Sequence, residues 1–480
     1  MIRRTILCAA MALAGVVQIA ASGAANAPGA FQSTAPSPAP APASAPAFYA
    51  FAPTPPMGWN SYDAFGDSVT EDEVLANAAY VKDHLLSHGW NYIVIDFRWY
   101  DPEPTGDDHA LNQKRTGAKL AADAFGRMVP AENRFPSSAG GKGFKPLADK
   151  LHGMGLKFGF HYMRGIPRQA VRDKTPIADS DFTAADAGDP RNVCGWCPDM
   201  NGVRDTPAGQ AWYDAMFKLY ASWGLDFIKV DDLSNPYRTS EVEMIRRAID
   251  KCGRPIILST SAGPTPARNT EHVKTHANMW RISGDFWDTW AKLNAQFDLM
   301  NGWRDVAGPG HFPDADMLPL GHLCIRSKAG GNDRRARYTP AEATTLISFW
   351  CLAPSPLMLG GNLPDNTPED LALITNDELL AIDQDPLAQP AARVSQQSSP
   401  AGRTEVWVRT LKDGSRAVGL FNRGETASDV ALTWNDAKLS GKWTVRDLWQ
   451  HKDLGPQEAQ LALPVPPHGA VLLKLSPVGR

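Results

Sequence analysis

Cysteine is scarce, with six in 480 residues, and Cys8 falls in an apolar N-terminal leader. The other five, Cys194, Cys197, Cys252, Cys324 and Cys351, are odd in number, which rules out a complete set of internal disulfides. Cys194 and Cys197 form a single CxxC in a loop rich in Gly, Pro and Asn. With no second Cys or His pair beside it, the motif is weak support for zinc, and a local loop disulfide is expected there ahead of a free pair. Net charge is nearly absent as well: a balance of −4 gives no electrostatic basis for nucleic acid or an anionic membrane as partner. No glycine-rich phosphate loop follows an early strand, which argues against a doubly wound dinucleotide fold. The leader's apolar run, Ile6 to about Ala21, is short and interrupted for a membrane span.

Arg3 and Arg4 precede that run, and small residues follow it to Ala27. Residues 1–27 therefore read as a signal peptide with a cut site at Ala25-Asn26-Ala27, implying an exported protein, periplasmic or secreted, free of the membrane after cleavage. Residues 28–53 are rich in Ala and Pro without apolar periodicity, the pattern of an extended linker. Over the full 480 residues, 43% hydrophobic and 21% charged residues fit a soluble globular protein long enough for a large barrel plus an appendage. The 15 tryptophans serve either as core or as platforms for apolar sugar faces.

From Thr54 the chain alternates strand-like and helix-like segments. Strands are expected at Met57–Ser61, Tyr92–Asp96, Lys157–Tyr162, Phe227–Asp231, Pro255–Ser261, Met279–Ser283, Pro309–Leu318 and Leu357–Gly360. Between them lie helical segments, two opened by expected capping boxes, Thr70 with Glu73 and Ser240 with Glu243. Eight such alternations over residues 54–390 predict an α/β protein built on a (β/α)8 TIM barrel. Residues 391–480 carry short strands separated by turn residues and no helical period, which predicts a C-terminal antiparallel β-sandwich.

The run LDFIKVDD at Leu225–Asp232 ends a buried strand on two adjacent carboxylates. Strand faces alternate, so Lys229 and Asp231 share one face while Val230 and Asp232 take the other. Asp285 follows the strand at Met279–Ser283, which carries Arg281. Two acids, each delivered by its own strand end, suggest the acid pair of a glycosidase. Other polar residues collect at the same strand ends: Trp59 and Asn60, Asp96, His161, Ser261, and Asp314 with Asp316. In a barrel that is the active face.

At this point the motifs Pro55–Ser61 (PPMGWNS), YIVID, IKVDD, Trp280–Asp285 (WRISGD), GPGHFPDADML and AIDQDPL together resemble glycoside hydrolase family 27. That family contains α-galactosidases and α-N-acetylgalactosaminidases. The resemblance implies a retaining glycoside hydrolase that releases terminal α-D-galactose by double displacement, with an oligosaccharide or polysaccharide as substrate and no metal or organic cofactor. It also implies Asp231 as nucleophile and Asp285 as acid/base. Lys229, Arg281, Asp96 and Asp316 match sugar-binding residues, and Trp59 matches the aromatic floor. Physical chemistry agrees: Lys229 would keep Asp231 ionised, and Asp285 needs an apolar or anionic setting, which Trp280, Phe286 and Trp287 could supply.

The chain departs from the family pattern where the sugar is read. Asp96 is followed by Phe97 and Arg98, where α-galactosidases place a second acid. His161 stands where a tyrosine is common, and Ser261 where α-galactosidases place a glutamate and N-acetylgalactosaminidases a serine. These residues favour, as alternatives, an α-N-acetylgalactosaminide, a β-L-arabinopyranoside or an α-glucan. A non-catalytic carbohydrate-binding protein is less favoured, because both acids are present.

Overall fold

The computed structural model describes residues 45–400 and 402–478; the expected signal peptide, and the linker as far as residue 44, lie outside them. Eight short parallel strands curl into a barrel: β1 (Met57–Asn60), β2 (Tyr92–Ile95), β3 (Lys157–Met163), β4 (Phe227–Asp231), β5 (Ile257–Thr260), β6 (Met279–Arg281), β7 (Phe312–Asp314) and β8 (Leu357–Leu359). They pair in sequence order, and β8 returns beside β1 with Met57 opposite Leu357. Closure comes just beyond β7, where Leu318 N–H donates to the Met358 carbonyl at 2.7 Å and the Leu318 carbonyl accepts from Gly360 N–H at 3.0 Å. Apart from the polar residues toward their carboxyl ends and Lys157, the strands are apolar and buried on both faces, as parallel strands covered by helices must be.

The helices obey most of their sequence signals. The Thr70–Glu73 capping box forms, and the segment it opens runs through a π turn and a 3-10 turn to Gly89, whose φ of +92° ends it. The second expected box does not form. The helix Thr239–Lys251 places Arg238 at its N-cap and Ser240 inside its first turn, while Glu243 faces His272 at 3.2 Å. The helix that follows β6, Trp290–Trp303, is capped by Thr289, which leaves Trp287 in the preceding loop.

Two further expectations are corrected. The linker was expected to stay extended to residue 53, but Ala47–Phe51 form a 3-10 helix. Phe48 is buried beneath the Arg246 guanidinium at 4.6 Å, Tyr49 stacks on His311 at 4.5 Å, and Ala52 joins the cluster of Phe227, Ile257, Met279 and Phe312 at the amino ends of the strands. Aromatic side chains supply the apolar surface that an Ala/Pro composition hides. The expected disulfide is also absent: Cys194 and Cys197 are free, buried thiols in the excursion between β3 and β4, and burial pushes Cys194 up to about 12.

The C-terminal region forms a six-stranded antiparallel sheet faced by a two-stranded one. Its sheets bury Val418, Leu420, Leu432 and Leu473 between them. Phe349 on the helix Pro340–Leu352 packs on Trp407 at 5.0 Å and on Phe297 at 4.1 Å, and Arg409 Nη1 donates to the Cys351 carbonyl at 2.6 Å. The barrel-facing side of the sandwich, with Trp407, Ala417, Phe421 and Leu472, therefore joins the barrel core, while the interior between its sheets forms a cluster of its own.

Candidate active site

The carboxyl ends of the strands converge on a cavity of 260 Å³, lined by Asp96, Lys229, Asp231, Arg281, Asp285 and Asp316 among others. Its size lies below the ~300–1,000 Å³ of drug-sized pockets and suits a single sugar ring.

Strand alternation positions the central pair. Lys229 and Asp231 both face the cavity from β4, while Asp232, in the left-handed region at φ +62°, turns outward to Arg164 at 2.6 Å. Register places His161 on β3 opposite Lys229, and its Nε2 lies 3.0 Å from Asp231 Oδ2. Burial works to raise the Asp231 carboxyl, but His161 and then Lys229 outweigh it and hold it well below the usual carboxylate range. A carboxylate so held stays ionised and can attack an electrophilic carbon. Ser261 is buried behind it and does not line the cavity; its neighbour Ala262 does.

Lys229 Nζ donates to Asp96 Oδ2 at 3.0 Å, and Asn60 Nδ2 donates to the same oxygen at 2.7 Å. Phe97 N–H caps the other oxygen at 2.9 Å. Burial opposes ionisation of Asp96 too, yet Lys229 and His161 keep it lowered. Lys229 in turn is raised despite its burial by Asp96, Asp231 and Asp316. The trio is a fixed array of two acceptors around one donor, suited to vicinal hydroxyls.

On the opposite wall Arg281 Nη2 meets Asp316 Oδ2 at 2.8 Å and Asp285 Oδ1 at 3.3 Å. Asp316 is pushed up to about 6, by burial first, with Arg281 opposing and Asp285 adding to it. Asp285 keeps 54% of its side chain exposed, open to solvent and to a departing group. Of the aromatic residues expected around it, Phe286 and Trp287 line the cavity, whereas Trp280 is fully buried in the core.

Trp59 does not reach the site. Asn60 points to the cavity residue Asp96, so alternation turns Trp59 to the helical layer, where it is fully buried and donates its indole N–H to the Gly361 carbonyl at 2.8 Å. The aromatic wall is built by Tyr62, Phe97, Trp196 and Trp287 instead. Tyr62 donates to Asp107 Oδ2 at 2.5 Å, which also meets His109 Nε2 at 3.1 Å, so a loop after β2 forms part of the rim. Arg98 points away into a buried network with Asp199 at 2.9 Å and Asp101 at 3.2 Å, tying that loop to the excursion that carries Trp196. Asp63 also lines the cavity. Only the aromatic-acid pair Tyr62-Asp63, starting two residues past β1, was open to discovery from sequence, through its place near a strand end.

Comparison with known proteins follows the same outline. Residues 200–385 match the family described as alpha galactosidase A, and residues 401–475 match the alpha galactosidase C-terminal beta sandwich domain. An α-galactosidase of Cyamopsis tetragonoloba is 29% identical over 429 residues, spanning 88% of this chain and 86% of that one. A family 27 β-L-arabinopyranosidase from Geobacillus stearothermophilus, solved with arabinose, superposes with a TM-score of 0.86 at 45% identity, over 91% of this chain and all 100% of that one. A putative α-N-acetylgalactosaminidase from Bacillus halodurans gives 0.78 at 40% identity, over 88% and 97%.

Proposed function

The chain belongs to glycoside hydrolase family 27, and from that premise we propose that it is a retaining glycosidase whose preferred substrates are β-L-arabinopyranosides. The observation that carries the sugar is Phe97. It follows the hydroxyl-binding Asp96, is only 3% exposed, and is wedged between His161 at 5.4 Å and Trp196 at 5.7 Å on the cavity wall. L-Arabinopyranose is the galactopyranose ring without its hydroxymethyl arm. A phenyl ring takes up the volume of that arm and accepts no hydrogen bond from its hydroxyl, whereas the second acid of α-galactosidases does. The 45% identical arabinopyranosidase supports the same choice.

In this reading Asp231 attacks the anomeric carbon while Asp285 gives its proton to the departing glycosidic oxygen, forming a glycosyl ester and a free alcohol. The Asp285 carboxylate then takes a proton from water, whose oxygen attacks the same carbon and releases the sugar with retained configuration and a regenerated Asp231. Lys229, Asp96 and Arg281 hold the ring hydroxyls, and His161 keeps the nucleophile ionised. The leader sequence supports export, so the substrate would be met outside the cytoplasm.

An α-galactosidase is the second reading, supported by relatives of that activity along 88% of the chain. Nitrophenyl glycosides separate the two. A kcat/KM higher on the β-L-arabinopyranoside is expected, and a higher value on the α-galactoside would overturn the sugar assignment.

A further inference from the structure

Asp63 sits in the short helix Tyr62–Phe65 that follows β1, with only 3% of its surface exposed. Its Oδ2 is buried without a hydrogen-bond partner. Buried polar atoms are nearly always satisfied, so an orphaned carboxyl oxygen calls for a partner that the fold itself does not supply. The position is held firmly. The Asp63 carbonyl accepts from Cys324 N–H at 2.8 Å, and a Cβ at Gly360, just beyond β8, would overlap the carboxyl. Glycine at the end of β8 thus leaves room for this acid, which lines the same cavity as Asp96, Lys229, Asp231 and Asp316.

We propose that Asp63 is a substrate-binding residue that determines sugar specificity, donating a hydrogen bond from its carboxylic acid to a hydroxyl of the bound ring. Burial, then Asp316, push the group well above the usual carboxylate range, with Asp96 and Asp285 adding to the effect and Lys229 opposing it. A neutral acid offers an O–H that the ionised Asp96 and Asp231 cannot, and so complements their acceptors. The inference rests on the cavity being the sugar site.

The test compares Asp63→Asn and Asp63→Ala with the unaltered enzyme on nitrophenyl β-L-arabinopyranoside and α-galactoside, alongside thermal melting and calorimetric binding of free L-arabinose and D-galactose. Asp63→Asn, which keeps a neutral donor of the same shape, should retain kcat/KM within about threefold and an unchanged pH profile. Asp63→Ala should lose about ten- to a hundredfold, the scale of one hydrogen bond in a desolvated site. Its penalty should vanish on the one monodeoxy glycoside that lacks the contacted hydroxyl. Normal melting with full kcat/KM in Asp63→Ala would overturn the role, and so would an Asp63→Asn as impaired as Asp63→Ala. Unaltered enzyme that neither cleaves a glycoside nor binds either sugar would instead sink the reading of the cavity itself, and this inference with it.

Discussion

His161 Nε2 lies 3.0 Å from Asp231 Oδ2, across the pairing of β3 and β4. In the proposed mechanism a histidine here would serve Asp231 rather than the sugar, because it is fully buried and absent from the cavity lining. With Lys229 it overrides the burial that would otherwise raise the carboxyl. His161→Phe removes the larger of those two opposing effects and leaves the desolvation in place. The Asp231 carboxyl should then take up a proton at a higher pH, and the acidic limb of the kcat/KM profile should move upward. At neutral pH the loss should be smaller than at pH 5. A limb that stays where it was would show that Lys229 suffices.

Asp285 is expected to reveal its role through the leaving group. Asp285→Ala removes the proton donor, which contributes about 10²–10⁴-fold where a group must be protonated as it departs. Nitrophenolate leaves without that proton, so the first step on a nitrophenyl glycoside should suffer far less than cleavage of an alkyl glycoside. Asp231→Ala should abolish turnover of both. The kcat/KM on each substrate, which reports the first step alone, checks this, and equal losses in kcat/KM for Asp285→Ala on both would remove the acid assignment.

These residues show what was legible beforehand. Alternation along LDFIKVDD separated Asp231 from Asp232, and the structure turns Asp232 out to Arg164 as that period demands. The same rule, applied at β1, would have set Asn60 and Trp59 on opposite faces and excluded Trp59 from the sugar floor. Barrel order and strand ends could be read because each strand is a short apolar run bounded by turns. The wall formed by Trp196, Asp107 and His109 could not, because it depends on loops held in place by the buried Arg98 network rather than on any local period. The disulfide expectation failed as well: spacing brings two cysteines near without deciding whether they bond, and both are free thiols.

Lys229 is expected to matter to stability as much as to binding. Lys229→Met leaves Asp96 and Asp231 buried without their ammonium partner, a change that costs about 3–5 kcal/mol in comparable pairs. Asp96 has a lowered native value, so its contribution is fully present above the unfolded carboxyl value of about 3.9 and is lost as pH falls through the native one. The gap between Lys229→Met and the unaltered protein, measured by urea unfolding, should therefore be largest near neutral pH and shrink below pH 4. A gap constant across that window would mean that the loss comes from packing alone.

Phe97 provides the sharpest test of sugar choice. Phe97→Ala deletes a nearly buried ring that packs on both His161 and Trp196, so a stability cost of about 3–5 kcal/mol is expected. The vacated volume lies beside Asp96, where a hydroxymethyl arm would enter. Activity on the α-galactoside should therefore rise relative to the β-L-arabinopyranoside, even as both absolute rates fall with the loosened wall. The ratio of the two kcat/KM values is the quantity to measure, because it cancels any loss of folded enzyme. Two outcomes diverge cleanly. A ratio that climbs by about tenfold matches the worth of one to two buried methylene-sized contacts in a specificity pocket. A ratio that stays fixed would mean that the ring acts only as a buttress for His161 and Trp196, and that the arm of galactose, if it binds, is received elsewhere on the wall.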